Sequence, residues 1–141
     1  MSDSARLESL FVAELSKVGL QGRREPDGVI RFTAASPEVG DLIVYFNDGE
    51  ITVDIEKITH LHFTPYEADP TNAAHTIVDC AQEAAEYVAG VLSGRWILWR
   101  YPNGAGGSYE IGKGSEDWAD SPVNPTDAEK FLWSGPYAGP A

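Results

Sequence analysis

Residues 41–63, with the sequence DLIVYFNDGEITVDIEKITHLHF, decide the fold because they place two strand-like runs on either side of a tight turn. The run over residues 41–46 is rich in β-branched and aromatic residues, which favour strands. The NDG triplet at 47–49 supplies residue types that tolerate positive φ in a hairpin. The chain is therefore predicted to return at once in a strand that starts at Glu50. With a preceding strand over residues 29–34, this forms an antiparallel meander of three strands.

The third predicted strand carries a row of ionisable side chains. If it runs unbroken from Ile51 to Phe63, alternation gives it one apolar face and one polar face. The apolar face then holds Ile51, Val53, Ile55, Leu61 and Phe63. The polar face holds Asp54, Glu56, His60 and His62. Lys57 and Ile58 break the alternation, which indicates a bulge or a break that would re-aim the histidines relative to the carboxylates.

Two chemical interpretations fit this polar row. His60 and His62, with a carboxylate beside them, have the residue types of a metal site or an acid–base site. The same alternation is also what any half-exposed antiparallel strand shows. The sequence favours a solvated or partner-binding face, and no catalytic residue, metal ligand or cofactor is predicted.

Two helices are predicted from apolar residues at helical spacing. The first runs through Leu7, Leu10, Phe11, Leu15 and Val18 and stops at Gly19. The second starts at Asp69-Pro70 and ends at Gly94, and its buried face consists of Ile77, Ala81, Ala84, Val88 and Leu92. His75 and Asp79 are predicted to make a surface pair rather than a catalytic dyad. Cys80 is predicted to pack in the core rather than to act as a nucleophile.

The region after Gly94 is predicted to form two strands, over residues 95–101 and 108–111, joined by a Gly-rich loop. The loop lacks the GxxxxGK[ST] pattern and precedes a strand, so it is not a phosphate loop. Trp96 and Trp99 fall on opposite faces of the first of these strands. Two outcomes stay open: one indole or a neighbouring arginine faces outward as an interaction anchor, or the C-terminal segment covers it.

The whole chain of 141 residues is predicted to be a single α+β domain. An antiparallel sheet of about five strands carries the N-terminal and central helices, in the order α-β-β-β-α-β-β-α. Residues 113–141 form a C-terminal segment rich in Pro, Gly and Trp. Within it, Thr126 and Glu129 match a capping box that precedes residues 131–133, which predicts a short terminal helix.

The charge balance restricts the partners. The chain has 22 Asp+Glu against 10 Lys+Arg, a net charge of −12, which repels nucleic acids and anionic lipid but attracts a basic protein. Cys80 is the only cysteine, so no internal disulfide can form. The N-terminal residues do not resemble a signal peptide and no apolar run is long enough to span a membrane. These features predict a cytoplasmic protein.

Two resemblances to known families bear on function. The stretch GEITVDIEKITHLHFTPYE, a helix ending AAEYVAGVLSGRWILW and a Gly-rich turn resemble small bacterial immunity proteins of polymorphic toxins, over roughly residues 41 to 112. The order of elements, the small size and the acidity are similar to type III secretion chaperones, which dimerise and bind unfolded segments of secreted effectors. Both resemblances imply a protein partner.

The sequence therefore predicts a non-enzymatic, protein-binding function, with toxin neutralisation as its most concrete form. The partner is expected to be a basic toxin or a secreted effector, and a homodimer is left open. The predicted contact residues are Asp54, Glu56, His60, His62, Trp96 and Trp99. The alternatives are a chaperone of the type III kind and a small metal-dependent hydrolytic enzyme using His60 and His62.

Overall fold

The computed structural model describes residues 2–65, 76–111 and 128–137, which form two helices and two antiparallel sheets. The helices are α1 (Asp3–Lys17) and α2 (Ile77–Leu92). The strands are β1 (Arg23–Arg24), β2 (Ile30–Phe32), β3 (Leu42–Asn47), β4 (Glu50–Ile55), β5 (Thr59–Phe63), β6 (Trp96–Arg100), β7 (Gly106–Glu110), β8 (Glu129–Leu132) and β9 (Gly135–Pro136). The sheet orders are β1-β2-β3-β4-β5 and β7-β6-β8-β9. The predicted α+β class is confirmed, with the strands divided between two sheets rather than gathered in one.

The chain folds into two compact units. The first comprises residues 1–32, 43–54 and 61–89, and it contains α1 with most of α2 and of the five-stranded sheet. The second comprises residues 33–42, 55–60 and 90–141, and it contains the four-stranded sheet. No helix among the described residues is long and apolar enough to cross a membrane.

The predicted N-terminal helix is present as α1. Gly19, with φ of +75°, follows its C-terminus, as expected for a residue that ends a helix in the left-handed region. Leu7, Phe11 and Leu15 form its buried stripe. Phe11 packs against Phe46 of β3 with the ring centroids 5.5 Å apart, so α1 covers the side of β3 that Phe46 faces.

The predicted tight turn joins β3 to β4. Asp48 and Gly49 have φ values of +55° and +75°, the signature of a two-residue hairpin turn of type I′. In such a hairpin the flanking residues pair in order, which places Phe46 opposite Ile51 and Tyr45 opposite Thr52. The helix-covered side of β4 is therefore the side of Ile51, whereas Tyr45 and Thr52 lie on the other side.

Helix α2 buries the small-residue face that the sequence predicts. Ala81, Ala84 and Val88 are fully buried, and Tyr87 packs against Phe63 of β5 at 5.9 Å between ring centroids. The helix begins at Ile77.

The N-terminus of α2 is capped by a reciprocal pair of side chains. The Asp79 carboxylate accepts hydrogen bonds from the Thr76 N–H at 3.1 Å and the Thr76 hydroxyl at 3.0 Å. In return, Thr76 Oγ1 accepts from the Asp79 N–H at 3.2 Å. This is a capping box with Thr76 as the N-cap. The Asp69-Pro70 start predicted from sequence lies outside the described residues.

The residues predicted to form one long third strand, 51–63, form two strands, β4 and β5. A turn at residues 56–58 ends β4 and returns the chain as β5, closed by the Ile58 N–H on the Ile55 carbonyl at 2.9 Å. The break falls where Lys57 and Ile58 interrupt the alternation. Ile58 is buried, so it serves the core of the turn rather than an exposed strand face.

The prediction of a short terminal helix is wrong, because Glu129–Leu132 is the strand β8. Strand β8 pairs with β6 through Leu98 opposite Phe131, and Phe131 is 2% exposed. A capping-box pattern is a local signal worth about 1 kcal/mol. The ladder with β6 and the burial of Phe131 outweigh it. Thr126, like most of the C-terminal segment 113–141, lies outside the described residues.

Candidate functional site

One side of the β3–β4–β5 part of the first unit presents polar side chains. In β4, Ile51, Val53 and Ile55 are buried, whereas Glu50, Thr52 and Asp54 alternate with them and are half-buried. His62 of β5 contacts Thr52 and Glu50, which assigns it to the same side. Tyr45 of β3 is opposite Thr52 and half-buried. We call this set the polar face: Tyr45, Glu50, Thr52, Asp54 and His62.

His62 is the centre of a small hydrogen-bonded cluster on the polar face. Its Nδ1 lies 3.0 Å from the Thr52 hydroxyl and 3.0 Å from a carboxylate oxygen of Glu50. Thr52 is the cross-strand neighbour of His62, and Glu50 is its diagonal neighbour, the two positions that an antiparallel pair brings within reach. The His62 side chain is 52% exposed and that of Glu50 is 31% exposed. The cluster therefore forms in contact with solvent.

The contacts at Nδ1 do not place Thr52 as the nucleophile of a hydroxyl–histidine–carboxylate triad. In a hydroxyl–histidine–carboxylate triad, the hydroxyl and the carboxylate contact opposite nitrogens of the ring. One nitrogen can then accept the hydroxyl proton while the N–H of the other nitrogen is held by the carboxylate. Here both groups meet at Nδ1. Nδ1 either donates a hydrogen bond to the Glu50 carboxylate or accepts a hydrogen bond from the Thr52 hydroxyl. Thr52 and Glu50 therefore compete for His62 instead of acting in series.

The other charged residues predicted for this site are divided between the two units. Asp54 remains on the polar face, half-buried. Glu56 and His60 belong to the second unit. His60 is exposed on β5, whereas Glu56 lies in the turn, where its carboxylate accepts the Asp41 N–H at 2.7 Å. The Glu56 carboxylate therefore has a structural partner, the backbone of the loop before β3.

The two predicted tryptophans differ in exposure. Trp99 is 7% exposed and packs edge-on against Tyr101 with the ring centroids 5.6 Å apart, so it lies in the core of the second unit and presents little surface to a partner. Trp96 is half-buried, and a Cβ added at Gly90 would come within 2.6 Å of its Nε1. The missing side chain of Gly90 thus makes room for the Trp96 indole.

Arg100, the arginine beside Trp99, is held by its own unit. Its Nη1 donates to the carbonyl oxygens of Glu38 at 2.9 Å and Lys57 at 3.2 Å. Its guanidinium carbon lies 4.8 Å from the centre of the Phe131 ring, and Nε is 3.6 Å from the Glu129 carboxylate. Arg100 therefore joins two loops and β8 within the second unit.

Cys80 is a packing residue, as predicted. It is 1% exposed, and its thiol donates to the Phe63 carbonyl at 3.2 Å. Burial, and secondarily the nearby carboxylates of Glu83 and Glu50, raises the pKa of the thiol from 9.0 to about 11. The nucleophilic thiolate is thus rare at neutral pH.

The predicted pair of His75 and Asp79 lies only partly within the described residues. Asp79 caps α2, and His75, its predicted partner, lies outside the described residues. Within residues 2–65, 76–111 and 128–137, no three His, Cys, Asp or Glu side chains are close enough together to hold a metal ion.

Sequence reasoning missed Tyr45, Thr52 and Glu50 as members of the face. The interpretation of residues 51–63 as one strand hides them, because an unbroken strand never brings Thr52 beside His62. The interruption at Lys57 and Ile58 was the available signal: a three-residue turn there pairs residue 52 with residue 62.

Comparisons with protein-family models, with curated proteins and with solved structures find no match to this chain. The geometry of the polar face therefore carries the functional argument.

Proposed function

We propose that this protein is a non-enzymatic binding protein whose polar face receives a basic protein partner. The observation that carries the proposal is the meeting of Thr52 and Glu50 at one nitrogen of His62. This arrangement holds a carboxylate, a hydroxyl and an imidazole in fixed positions at the surface. It suits recognition of a partner's donors, because it provides defined acceptors without aligning them for proton transfer.

The distribution of charge supports a basic partner. Residues 1–32 contain five Asp/Glu and five Lys/Arg, so the whole excess of twelve negative charges lies in residues 33–141. Within the described parts of the β3–β5 strands and α2 (43–65 and 76–92), seven acidic residues accompany one lysine, Lys57. A surface of one sign raises the rate at which an oppositely charged protein associates.

Neutralisation of a toxin is the most concrete form of this function. Enzymes that degrade nucleic acids bind phosphates with arginine and lysine, and carboxylates presented in a row can occupy such a site in place of phosphates. Glu50 and Asp54, four residues apart on the same side of β4 and separated there by Thr52, provide such a row. Tyr45 adds an aromatic side chain of the type enriched at interfaces.

The proposal is tested by charge reversal with a matched control. The double variant Glu50→Lys, Asp54→Lys changes the net charge from −12 to −8. The control Glu83→Lys, Glu86→Lys makes the same change on exposed positions of α2. A basic candidate partner encoded beside the gene is mixed with each protein, and association rates are measured at low and high ionic strength.

We expect the polar-face variant to associate at least about tenfold more slowly than the control at low salt, and the difference to shrink as salt rises. Circular dichroism confirms that both variants fold. Equal rates for the two variants would show that net charge alone steers the partner and that the polar face is not the interface. Turnover of a substrate lost in His62→Gln would instead favour the hydrolytic alternative.

A further inference from the structure

A groove lies between α1 and the β1–β2 hairpin in the first unit. It has a volume of about 460 Å³ and is lined by the apolar side chains Val12, Leu15, Leu20 and Ile30. Leu15 and Ile30 are 3% and 4% exposed, whereas Val12 is 41% exposed. The groove thus has a buried apolar base and an apolar side chain at its opening. Its size lies within the range of roughly 300–1,000 Å³ found for ligand sites.

Strand β1 provides a main-chain edge beside this groove. Among the described strands, β1 ends the order of the five-stranded sheet. The Glu25 N–H donates to the Val29 carbonyl at 2.8 Å, so the Glu25 peptide points toward β2. Because peptide directions alternate in an antiparallel ladder, the N–H and C=O of Arg24 point away from β2. Groups so directed are a template for an additional strand.

The two sides of β1 differ in chemistry. Arg24 pairs with Ile30 and therefore faces the groove, where its guanidinium bonds Glu8 at 2.8 Å. Arg23 pairs with Arg31 on the opposite side. Arg23 and Arg31 donate to the same carboxylate oxygen of Glu25, at 2.8 and 3.0 Å respectively.

That opposite side is suited to an acidic group. Like charges directly opposite each other on neighbouring strands repel, and the Glu25 carboxylate between Arg23 and Arg31 relieves the repulsion. The Arg23 side chain is 64% exposed. A guanidinium carries five N–H donors, so Arg23 can hold a second carboxylate beside that of Glu25.

We propose that the groove and the outer edge of β1 form a docking site for an extended segment of a protein partner in which apolar and acidic residues alternate. Successive side chains of an added strand point to opposite sides. Those on one side enter the apolar groove, and those on the other reach Arg23. Main-chain bonds to β1 supply affinity, and the two sides supply specificity. This site has the opposite charge preference to the polar face and does not depend on it.

The probe is a fluorescein-labelled peptide, Glu-Leu-Glu-Val-Glu-Leu, titrated with the full-length protein and followed by fluorescence polarisation. One control peptide has lysine in place of glutamate, and another has N-methylated amides that block main-chain hydrogen bonding. The variant Arg23→Ala is compared with Lys17→Ala, because their side chains are 64% and 67% exposed and each is paired with a glutamate. Val12→Ser is compared with Val18→Ser, which is 63% exposed and does not line the groove.

We expect saturable binding of the glutamate peptide with a Kd below about 1 mM and no saturation by either control peptide. Arg23→Ala and Val12→Ser should each weaken binding about fivefold, whereas Lys17→Ala and Val18→Ser should change it less than about twofold. Equal binding of the lysine peptide, unchanged binding by both Arg23→Ala and Val12→Ser, or no saturation at all would overturn the proposal. So would a concentration-dependent dimer that Val12→Ser dissociates, since a second copy of the chain would then occupy the groove.

Discussion

The polar face and strand β6 both carry charged and aromatic side chains. The two regions differ in the sequence separation between the residues that contact each other. On the polar face, His62 reaches Thr52 and Glu50, ten and twelve residues away in adjacent strands. In β6, Arg100 reaches the carbonyls of Lys57 and Glu38, 43 and 62 residues away. A local surface cluster can change without loss of the fold, whereas a long-range contact holds separate segments together.

The substitution with the largest expected effect on stability is Trp99→Ala, in strand β6. Trp99 is 7% exposed and packs with Ile97, Tyr101 and Tyr109, so removing the indole leaves a cavity in the second unit. We expect the free energy of unfolding to fall by about 3–5 kcal/mol. Chemical denaturation followed by far-UV circular dichroism measures it. A loss of less than about 1 kcal/mol would mean that Trp99 is not a core residue.

Arg100→Ala is expected to have the next largest effect. The substitution removes two charge-assisted hydrogen bonds to backbone carbonyls and the contact with the Phe131 ring, so we expect a loss of about 2–3 kcal/mol. Arg100→Lys serves as a comparison, since it keeps the charge and loses the planar fork. If the lysine variant were as stable as the parent, charge rather than the forked geometry would hold the loops.

Substitution of Glu56 is expected to have a smaller effect on stability than substitution of Arg100, because the Glu56 side chain bonds to the backbone but lies at the surface. Glu56→Ala removes the acceptor of the Asp41 N–H and should cost about 1 kcal/mol. Glu56→Gln keeps an acceptor and should cost about half as much. Denaturation midpoints of the two variants, compared at equal slope, distinguish loss of the hydrogen bond from loss of the charge.

The smallest effect on stability is expected on the polar face. His62→Ala should change the free energy of unfolding by less than about 0.5 kcal/mol, because the side chain is 52% exposed and its contacts compete with water. The same variant should slow association with a basic partner. A stability loss comparable to that of Arg100→Ala would remove the difference between the two regions and make the His62 cluster structural.

Much of the fold follows from short-range patterns. The α1 stripe at Leu7, Phe11 and Leu15, the hairpin turn at Asp48-Gly49 and the buried small residues of α2 are each set by residues within one or two turns of each other. The acidic surface and the packing role of Cys80 also follow from sequence. Such signals depend on local periodicity and backbone preference, which neighbouring residues determine.

The sequence by itself determined the α+β class, the two helices, the meander and the net charge of −12. Only the tertiary structure decided that residues 51–63 divide into two strands, that Thr52 and Glu50 meet His62, that Trp99 is buried and that Glu129–Leu132 is a strand rather than a helix. Each of these outcomes depends on which distant backbone lies alongside. Strand pairing and burial are settled by partners far away in the chain, and those partners outweigh local preferences worth about 1 kcal/mol.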